Sequence, residues 1–302
     1  MTTATIVIVT RNRQSELRTA VQSALAQSAA PEVMVVDDAS SDGTVEMIRK
    51  EFPSVRLIAN GESRGYITRR NEAAAIARGD VIFSIDDDAE FTSRHTVEQT
   101  LREFDRPRVA AVAIPYIEPN NGTQLHQRAP AADDCWITDT FKGTAHAVRR
   151  DAFLKLGGYR ADLVHQGEER DFSLRLLAAG CVVRSGRADA IHHYESPRRD
   201  HRRVDFYGRR NDILFAWHLV PAMALPLHLA GTTVNAVRSM WDAGRMAAMC
   251  RGTLSGYAAG WRALSERRAV TLEIYRLHRL LKTQSPLPLR TIEHRLPATC
   301  CS

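Results

Sequence analysis

Three consecutive carboxylates, Asp86-Asp87-Asp88, follow the apolar run VIFSI. Such a cluster repels itself unless positive charge stands among the acids. The spacing Asp86-x-Asp88 offers two carboxylates to one hard divalent cation, Mg²⁺ or Mn²⁺, which keeps coordination sites open for substrate phosphates. A solvated turn is the ordinary reading of an isolated Asp-Asp pair, but this chain carries other groups suited to the same chemistry. Asp37-Asp38 end a second apolar run, and Gly167-Glu168-Glu169-Arg170-Asp171 opens a helical pattern. Acids at a helix start are also favoured by the helix dipole, which accounts for Asp171 without catalysis. A cation held together with a diphosphate is the positive charge that the triple acid calls for.

These groups need elements to position them. β-branched runs at 5–9, 33–36, 55–58 and 81–85 alternate with helical patterns at 15–27, from 42 onward and at 68–78. Nearly continuous apolar strands separated by helices predict an α/β fold, a mostly parallel sheet with helices on both faces. Ligands of such sheets bind beyond the carboxyl ends of the strands, where Asp37-Asp38 and Asp86-Asp87-Asp88 both lie. A further helix at 96–104 and a strand at 109–114 lead into a polar loop, 118–134. A strand at 144–148, a helix from 168 to 179 and short strands near 181–184 and 188–192 follow. Beyond about Tyr207 the signals are helical only.

The segments TIVIVTRNR, VVDDASSDGT, GYITRRNEAAAIARGDVIFSIDDDAEF and GGYRADLVHQGEERDFSLRLLAAG, in this order, resemble the family-2 glycosyltransferases of GT-A fold, over roughly residues 4–200. The resemblance implies an inverting, metal-assisted transfer of a hexosyl or deoxyhexosyl group from a nucleotide-sugar donor to a hydroxyl. By the same resemblance, Thr10, Arg13, Asp38, Arg70, Asp86 and Asp87 belong to the donor side, with Asp38 toward the base or ribose and Arg70 toward phosphate charge. Asp88 and Asp86 correspond to the metal site. Glu169 stands where the family has an aspartate as general base, with Glu168 as the alternative. Ile191-His192-His193-Tyr194-Glu195-Ser196-Pro197 resembles the segment that supplies a metal-binding histidine, and either His192 or His193 fits that role. Arg198, Arg199, Arg202, Arg203, Arg209 and Arg210 add positive charge nearby.

The reading divides the chain into a nucleotide-sugar-binding catalytic domain, 1–206, and a helical C-terminal extension, 207–302, that is membrane-associating or acceptor-related. No Asp, Glu, Lys or Arg occurs between Ile213 and Val237. Pro221, Pro226, His218, His228 and Asn235 interrupt that stretch, so an interfacial or core helical pair is expected instead of a simple membrane span. The net charge of +6 and pI near 9.3 suit an anionic partner. The N-terminal apolar run reads as a strand and not a leader. Five cysteines show neither metal-ligand spacing nor a disulfide framework, and together these features predict a cytoplasmic protein, peripheral on the inner face of a membrane. The partners expected are a nucleotide-sugar donor, a glycan or lipid-linked acceptor and an acidic membrane surface, in polysaccharide or glycolipid assembly. Two other readings are a nucleotidyltransferase, for which the first strand lacks a glycine-rich, lysine-containing phosphate loop, and a nucleic-acid-binding module. The acidic sheet edge argues against nucleic acid.

Overall fold

The β-branched runs of the first half form strands β1 (Ala4–Thr10), β2 (Glu32–Asp37), β3 (Arg56–Ala59) and β4 (Val81–Asp86), with α1 (Gln14–Leu25), α2 (Thr44–Glu51) and α3 (Tyr66–Ile76) between them. The structure, a computed structural model, describes residues 2–194, 200–243 and 246–299. The four strands run parallel in the order β3-β2-β1-β4. Their register sets Thr10 beside Asp37 and Val9 beside Asp86, so both acidic strand ends open onto one edge.

After β4 the chain forms β5 (Ala89–Phe91), α4 (Thr96–Arg102), β6 (Val109–Ala113), β7 (Tyr116–Ile117), β8 (Leu125–His126), β9 (Trp136–Thr138), β10 (His146–Arg149) and α5 (Arg150–Lys155). Next come α6 (Glu168–Ala178), β11 (Val182–Ser185), β12 (Ile191–His193), α7 (His201–Leu219), α8 (Leu225–Ala243), α9 (Met246–Arg262), α10 (Leu272–Gln284) and β13 (Leu287–Pro288). The main sheet has nine strands, β13-β9-β11-β6-β10-β4-β1-β2-β3, with β10 antiparallel to both β4 and β6. A four-stranded sheet, β5-β12-β7-β8, stands beside it.

Alternation along the strands divides the core between the two faces of the sheet. Ile6 and Ile8 pack with Leu17, Ala20 and Val21 of α1, whereas Val7 packs with Met34, Val36 and Ile82 and with Phe172 and Leu176 of α6. Each large apolar side chain buried in this way contributes about 1.5–3 kcal/mol relative to exposure. The predicted mostly parallel sheet with helices on both faces is present.

The C-terminal third differs from a separate extension in two respects. Helix α7 is continuous across position 206, where a boundary was expected, and β13 pairs with β9 at the edge of the main sheet. α9 lies against α7 along Gly252, Gly256 and Gly260. A Cβ at Gly256 would fall 2.7 Å from the Arg210 carbonyl oxygen, so the close approach depends on glycine there. The uncharged stretch is split by this packing. Its α7 portion (Ile213, Leu214, Phe215, Ala216 and Leu219) is buried, whereas Met223, just before α8, and Leu227, Val234 and Val237 along α8 are exposed. No described helix is long and apolar enough to cross a membrane. Cys135 is a free thiol, but Cys181 is disulfide-bonded, so the expectation of no disulfide framework fails at that residue.

Candidate functional site

The strand ends, α3, α6 and the start of α7 enclose a cavity of about 820 Å³ lined by Thr10, Arg13, Asp38, Arg70, Asp86, Asp87, Asp88, Glu168, Glu169 and His193, among others. Two arginines stand among the acids. Arg13 Nη1 donates to Asp87 Oδ1 at 2.9 Å and to Asp88 Oδ2 at 2.7 Å. Arg70 Nη2 donates to Asp86 Oδ1 at 2.6 Å. Their placement answers part of the electrostatic question posed by the triple acid.

The three aspartates are not equivalent. Asp87 turns back into the protein and accepts from Thr10 Oγ1 at 2.8 Å. Burial raises its pKa to about 7 in spite of Arg13, so Thr10 and Asp87 anchor the strand ends to each other. Asp88 is also partly buried, which opposes ionisation, but the neighbouring His193 imidazole and the charge of Arg13 hold its pKa below the usual value. Its Oδ1 has no hydrogen-bond partner among the described residues and lies 3.4 Å from His193 Nε2. His193 Nε2 is also 3.9 Å from Asp86 Oδ2.

Asp86, Asp88 and His193 each offer one ligand atom, all within 4.8 Å of one another. Two carboxylates with one imidazole, one carboxylate oxygen buried without a partner, fit a hard or borderline divalent cation. His193 arrives there because β12 pairs with β5, setting His193 opposite Ala89. His192 does not. Successive residues of a strand face opposite ways, and the His192 ring lies 3.3 Å from Tyr194 Oη and 3.7 Å from Glu90 Oε1. The expectation that left both histidines eligible as ligands is corrected to His193 alone by position.

Several residues important to this geometry were not singled out from sequence. Glu118 Oε1 is 3.5 Å from His193 Nδ1, on the side away from the aspartates. It lies in a polar loop with no motif around it. Asp38 accepts from Ser63 Oγ, Arg64 N, Gly65 N and Arg69 Nε at 2.7–2.9 Å. Burial opposes its ionisation, yet these four donors hold its pKa at about 2. Two bonds to each oxygen use the acceptor capacity of a carboxylate, so Asp38 in this state organises the loop 60–65 at the cavity wall. Arg69 was overlooked beside Arg70. Asn71, beside Arg70, clamps the backbone of Tyr159, with Nδ2 donating to the carbonyl and Oδ1 accepting from the amide.

The glutamate pair opens α6 on the far side of Arg70. Glu168 is fully buried, with Oε1 3.6 Å from Arg70 Nη1 and neither oxygen hydrogen-bonded among the described residues. Burial and the neighbouring Glu169 charge push its pKa well above the ordinary range. Glu169 is half-buried and is also raised, by burial first and further by Asp86. Its Oε1 packs onto Gly143, where an added Cβ would come within 2.6 Å.

The loop before the pair is strained. Val164 and Gln166 have φ of 61° and 68°, a region costly for side-chain-bearing residues and common at functional sites. Asn211 of α7 holds it by donating through Nδ2 to the carbonyls of Leu163, His165 and Gln166 at 2.8–2.9 Å. The helix that sequence patterning assigned mainly to an extension thus positions the glutamates. Arg203 also lines the cavity, whereas Arg198 and Arg199 lie outside the described residues.

Asp171 has a structural role. It is buried, with Arg160 Nε at 2.9 Å on one oxygen and Arg175 Nε at 2.7 Å on the other. Removing one member of a buried charge network leaves the rest uncompensated, so Asp171→Ala is expected to lower unfolding stability by about 3–5 kcal/mol. Urea denaturation would measure the loss, and an unchanged midpoint would contradict this role.

Comparison with known proteins agrees with the geometry. Residues 5–161 match the Glycosyl transferase family 2 model. The chain is 26% identical over 223 residues to the O-antigen biosynthesis protein RfbC of Myxococcus xanthus, covering 64% of this chain and 17% of that protein. It is 28% identical over 225 residues to the succinoglycan biosynthesis protein ExoU of Rhizobium meliloti, covering 66% of this chain and 65% of that protein. The chain therefore spans less than two thirds of either relative. In fold it is similar to the mannosyltransferase PcManGT of Pyrobaculum calidifontis, solved with GDP-Man and Mn²⁺, at a TM-score of 0.60 and 20% identity over 97% of this chain and 84% of that one. The sheet is the GT-A arrangement, and with a family match that spans more than half of its residues this protein belongs to glycosyl transferase family 2.

Proposed function

We propose that the protein is an inverting, divalent-metal-dependent hexosyl- or deoxyhexosyltransferase that moves a sugar from a nucleoside-diphosphate donor to an acceptor hydroxyl in surface polysaccharide or glycolipid assembly. The observation that carries this reading is the opposition, across one cavity, of the Asp86, Asp88 and His193 cluster to the Glu168 and Glu169 pair. The polysaccharide setting draws on the named roles of RfbC and ExoU. Family membership disfavours the nucleotidyltransferase and nucleic-acid-binding readings.

Asp86, Asp88 and His193 would hold the cation, which supplies charge neutralisation for the departing diphosphate. Arg13 holds the Asp88 side chain in place, and Arg70 keeps Asp86 oriented while lying between the two halves of the site. Glu169 takes the proton of the acceptor hydroxyl. The acceptor oxygen forms its bond to the anomeric carbon as the bond from that carbon to the diphosphate oxygen breaks. The bonding pair leaves with the nucleoside diphosphate. Attack from the face opposite the leaving group inverts the anomeric configuration.

A thermal-shift screen of UDP-, GDP- and dTDP-sugars tests this reading, because a ligand that binds only the native state raises apparent stability. At least one donor is expected to raise Tm with Mn²⁺ and to do so much less with EDTA. No shift with any donor would count against it.

The proposal places the protein in the cytoplasm, attached peripherally to the inner face of a membrane. The support is exposed Met223 before α8, the α8 stripe of Leu227, Val234 and Val237, and exposed Leu254 and Trp261 of α9, flanked by exposed Arg238, Arg251 and Arg262. Apolar insertion together with basic flanks suits an anionic bilayer surface. Flotation with anionic liposomes is expected to carry the protein upward, and neutral liposomes should carry much less. Replacing Leu227 and Val234 by serine should reduce flotation. Recovery in the soluble fraction with both lipid compositions would exclude the attachment.

A further inference from the structure

A second cavity, of about 370 Å³, lies on the other side of Glu169 and shares Lys142, Gln166 and Glu169 with the first. Its remaining wall comes largely from α6 and α7, including Arg170, Arg209 and Asp212. Arg170 Nη2 lies 2.9 Å from Asp212 Oδ1, and Arg209 Nη1 lies 3.6 Å from Asp212 Oδ2. Two guanidinium groups thus share one carboxylate. The Nε atoms of both arginines are buried and have no hydrogen-bond partner among the described residues. A buried charged donor without an acceptor is costly, so these covered Nε atoms leave the positive charge of two cavity-wall residues only partly compensated.

The surroundings do not neutralise this charge. Lys282 lies in the same field, and its pKa is lowered by burial first and then by Arg170 and Arg279, with Asp212 and Asp139 opposing more weakly. The neighbouring His278 and His228 are depressed to about 3 and about 4, by burial and then by the Arg170 charge among others. A guanidinium presents its donors in a planar fork that matches a carboxylate or phosphate better than a neutral hydroxyl.

We propose that the second cavity is an acceptor subsite for a saccharide bearing an anionic group, a carboxylate or a phosphate, bound at Arg170 and Arg209 so that a neighbouring hydroxyl reaches Glu169 through the shared wall. The inference rests on the proposed function for the role of Glu169, while the anion site stands on its own residues. The transferred bonds are those already described, and the anionic group takes no part in them. A uronate and a sugar phosphate ester share the chemistry that the arginines recognise.

The test uses the full chain and four probes: methyl glucuronide, glucose 6-phosphate, neutral methyl glucoside and inorganic phosphate as competitor. Ligand-observed NMR titration is expected to give at least one anionic sugar a Kd about ten-fold lower than that of the glucoside, equivalent to one charge-assisted contact. The tighter of the two identifies the source of the anion. Phosphate should compete with it. Arg209→Gln should remove most of the preference and Arg209→Lys should restore part of it, with neutral binding unchanged. Asp88→Ala should leave anionic binding intact, because Asp88 does not line this cavity. In the wild type, Mn²⁺ should broaden the resonances of the bound anionic sugar, and in Asp88→Ala it should not.

Equal affinity for anionic and neutral sugars would overturn the proposal, as would a preference indifferent to Arg209. Loss of anionic binding in Asp88→Ala would also overturn it, because the probe would then occupy the donor cavity. Anion binding without Mn²⁺ broadening would overturn its acceptor role. Nucleotide-sugar binding, measured separately on Arg209→Gln, distinguishes failure here from failure of the proposed function: intact donor binding with no anion preference sinks only the subsite.

Discussion

Replacing Glu169 with glutamine is expected to lower kcat by about a hundred- to ten-thousand-fold, the usual contribution of a general base, with little change in donor Kd. The amide is nearly isosteric, and Glu169 is the member of the pair that both cavities share. Glu168 is different. It is completely buried beside Arg70 and lines only the first cavity. Glu168→Gln is therefore expected to retain much more turnover, with its effect coming through the placement of Arg70. Single-turnover assays of both variants decide the assignment, since a dead Glu168→Gln and an active Glu169→Gln would move the base by one residue.

The same environment sets a pH dependence. A base acts only when deprotonated, and the Glu169 pKa is raised by burial and then by the Asp86 charge. Activity should fall as pH drops through that raised value, so the acid limb of the rate profile should lie above the ordinary glutamate value of about 4.3. In Glu169→Gln that limb should disappear from the residual rate. A limb unchanged by the substitution would mean that another group titrates.

Asp88→Ala should abolish metal-dependent donor binding while leaving the fold intact. The substitution removes one of three convergent ligand atoms and almost no buried apolar surface. It also releases Arg13 Nη1 from one of the two carboxylates it bridges, while its bond to Asp87 remains. Calorimetric titration is expected to show a loss of more than about a hundred-fold in Mn²⁺ affinity, beyond the ten- to hundred-fold typical for an outer partner of a ligand. Glu118→Gln should fall in that smaller range, because Glu118 touches only the far nitrogen of His193. Unchanged Mn²⁺-dependent binding in Asp88→Ala would remove Asp88 from the ligand set.

Much of this arrangement was legible because the relevant signals are local. Continuous apolar runs ending in Asp37 and Asp86 identify buried parallel strands and the edge at which they open. Other features depend on contacts between distant segments. Strand alternation separates His192 from His193, but only the pairing of β12 with β5 decides which of the two faces the aspartates. Glu118 has no motif around it and becomes relevant only when β7 pairs with β12. Asn211 lies within a helical pattern, and nothing near it in sequence indicates that it holds three carbonyls of the loop before Glu168. β13 has only two residues, too few for a periodic signal. The uncharged stretch could be seen from composition, but its division into a buried α7 portion and an exposed α8 stripe follows from the glycine-mediated approach of α9 to α7.

The central claim is metal-dependent sugar transfer with inversion, and it can be tested before the acceptor is known. Water can stand in for the acceptor hydroxyl as nucleophile, so the released anomer can be followed by proton NMR before it mutarotates. With an α-linked donor selected by the thermal-shift screen, wild-type protein and Mn²⁺, the account predicts that the β-anomer is released first, that EDTA stops the release and that Glu169→Gln slows it to near background. Initial release of the α-anomer, or release that proceeds equally well with EDTA, would contradict it.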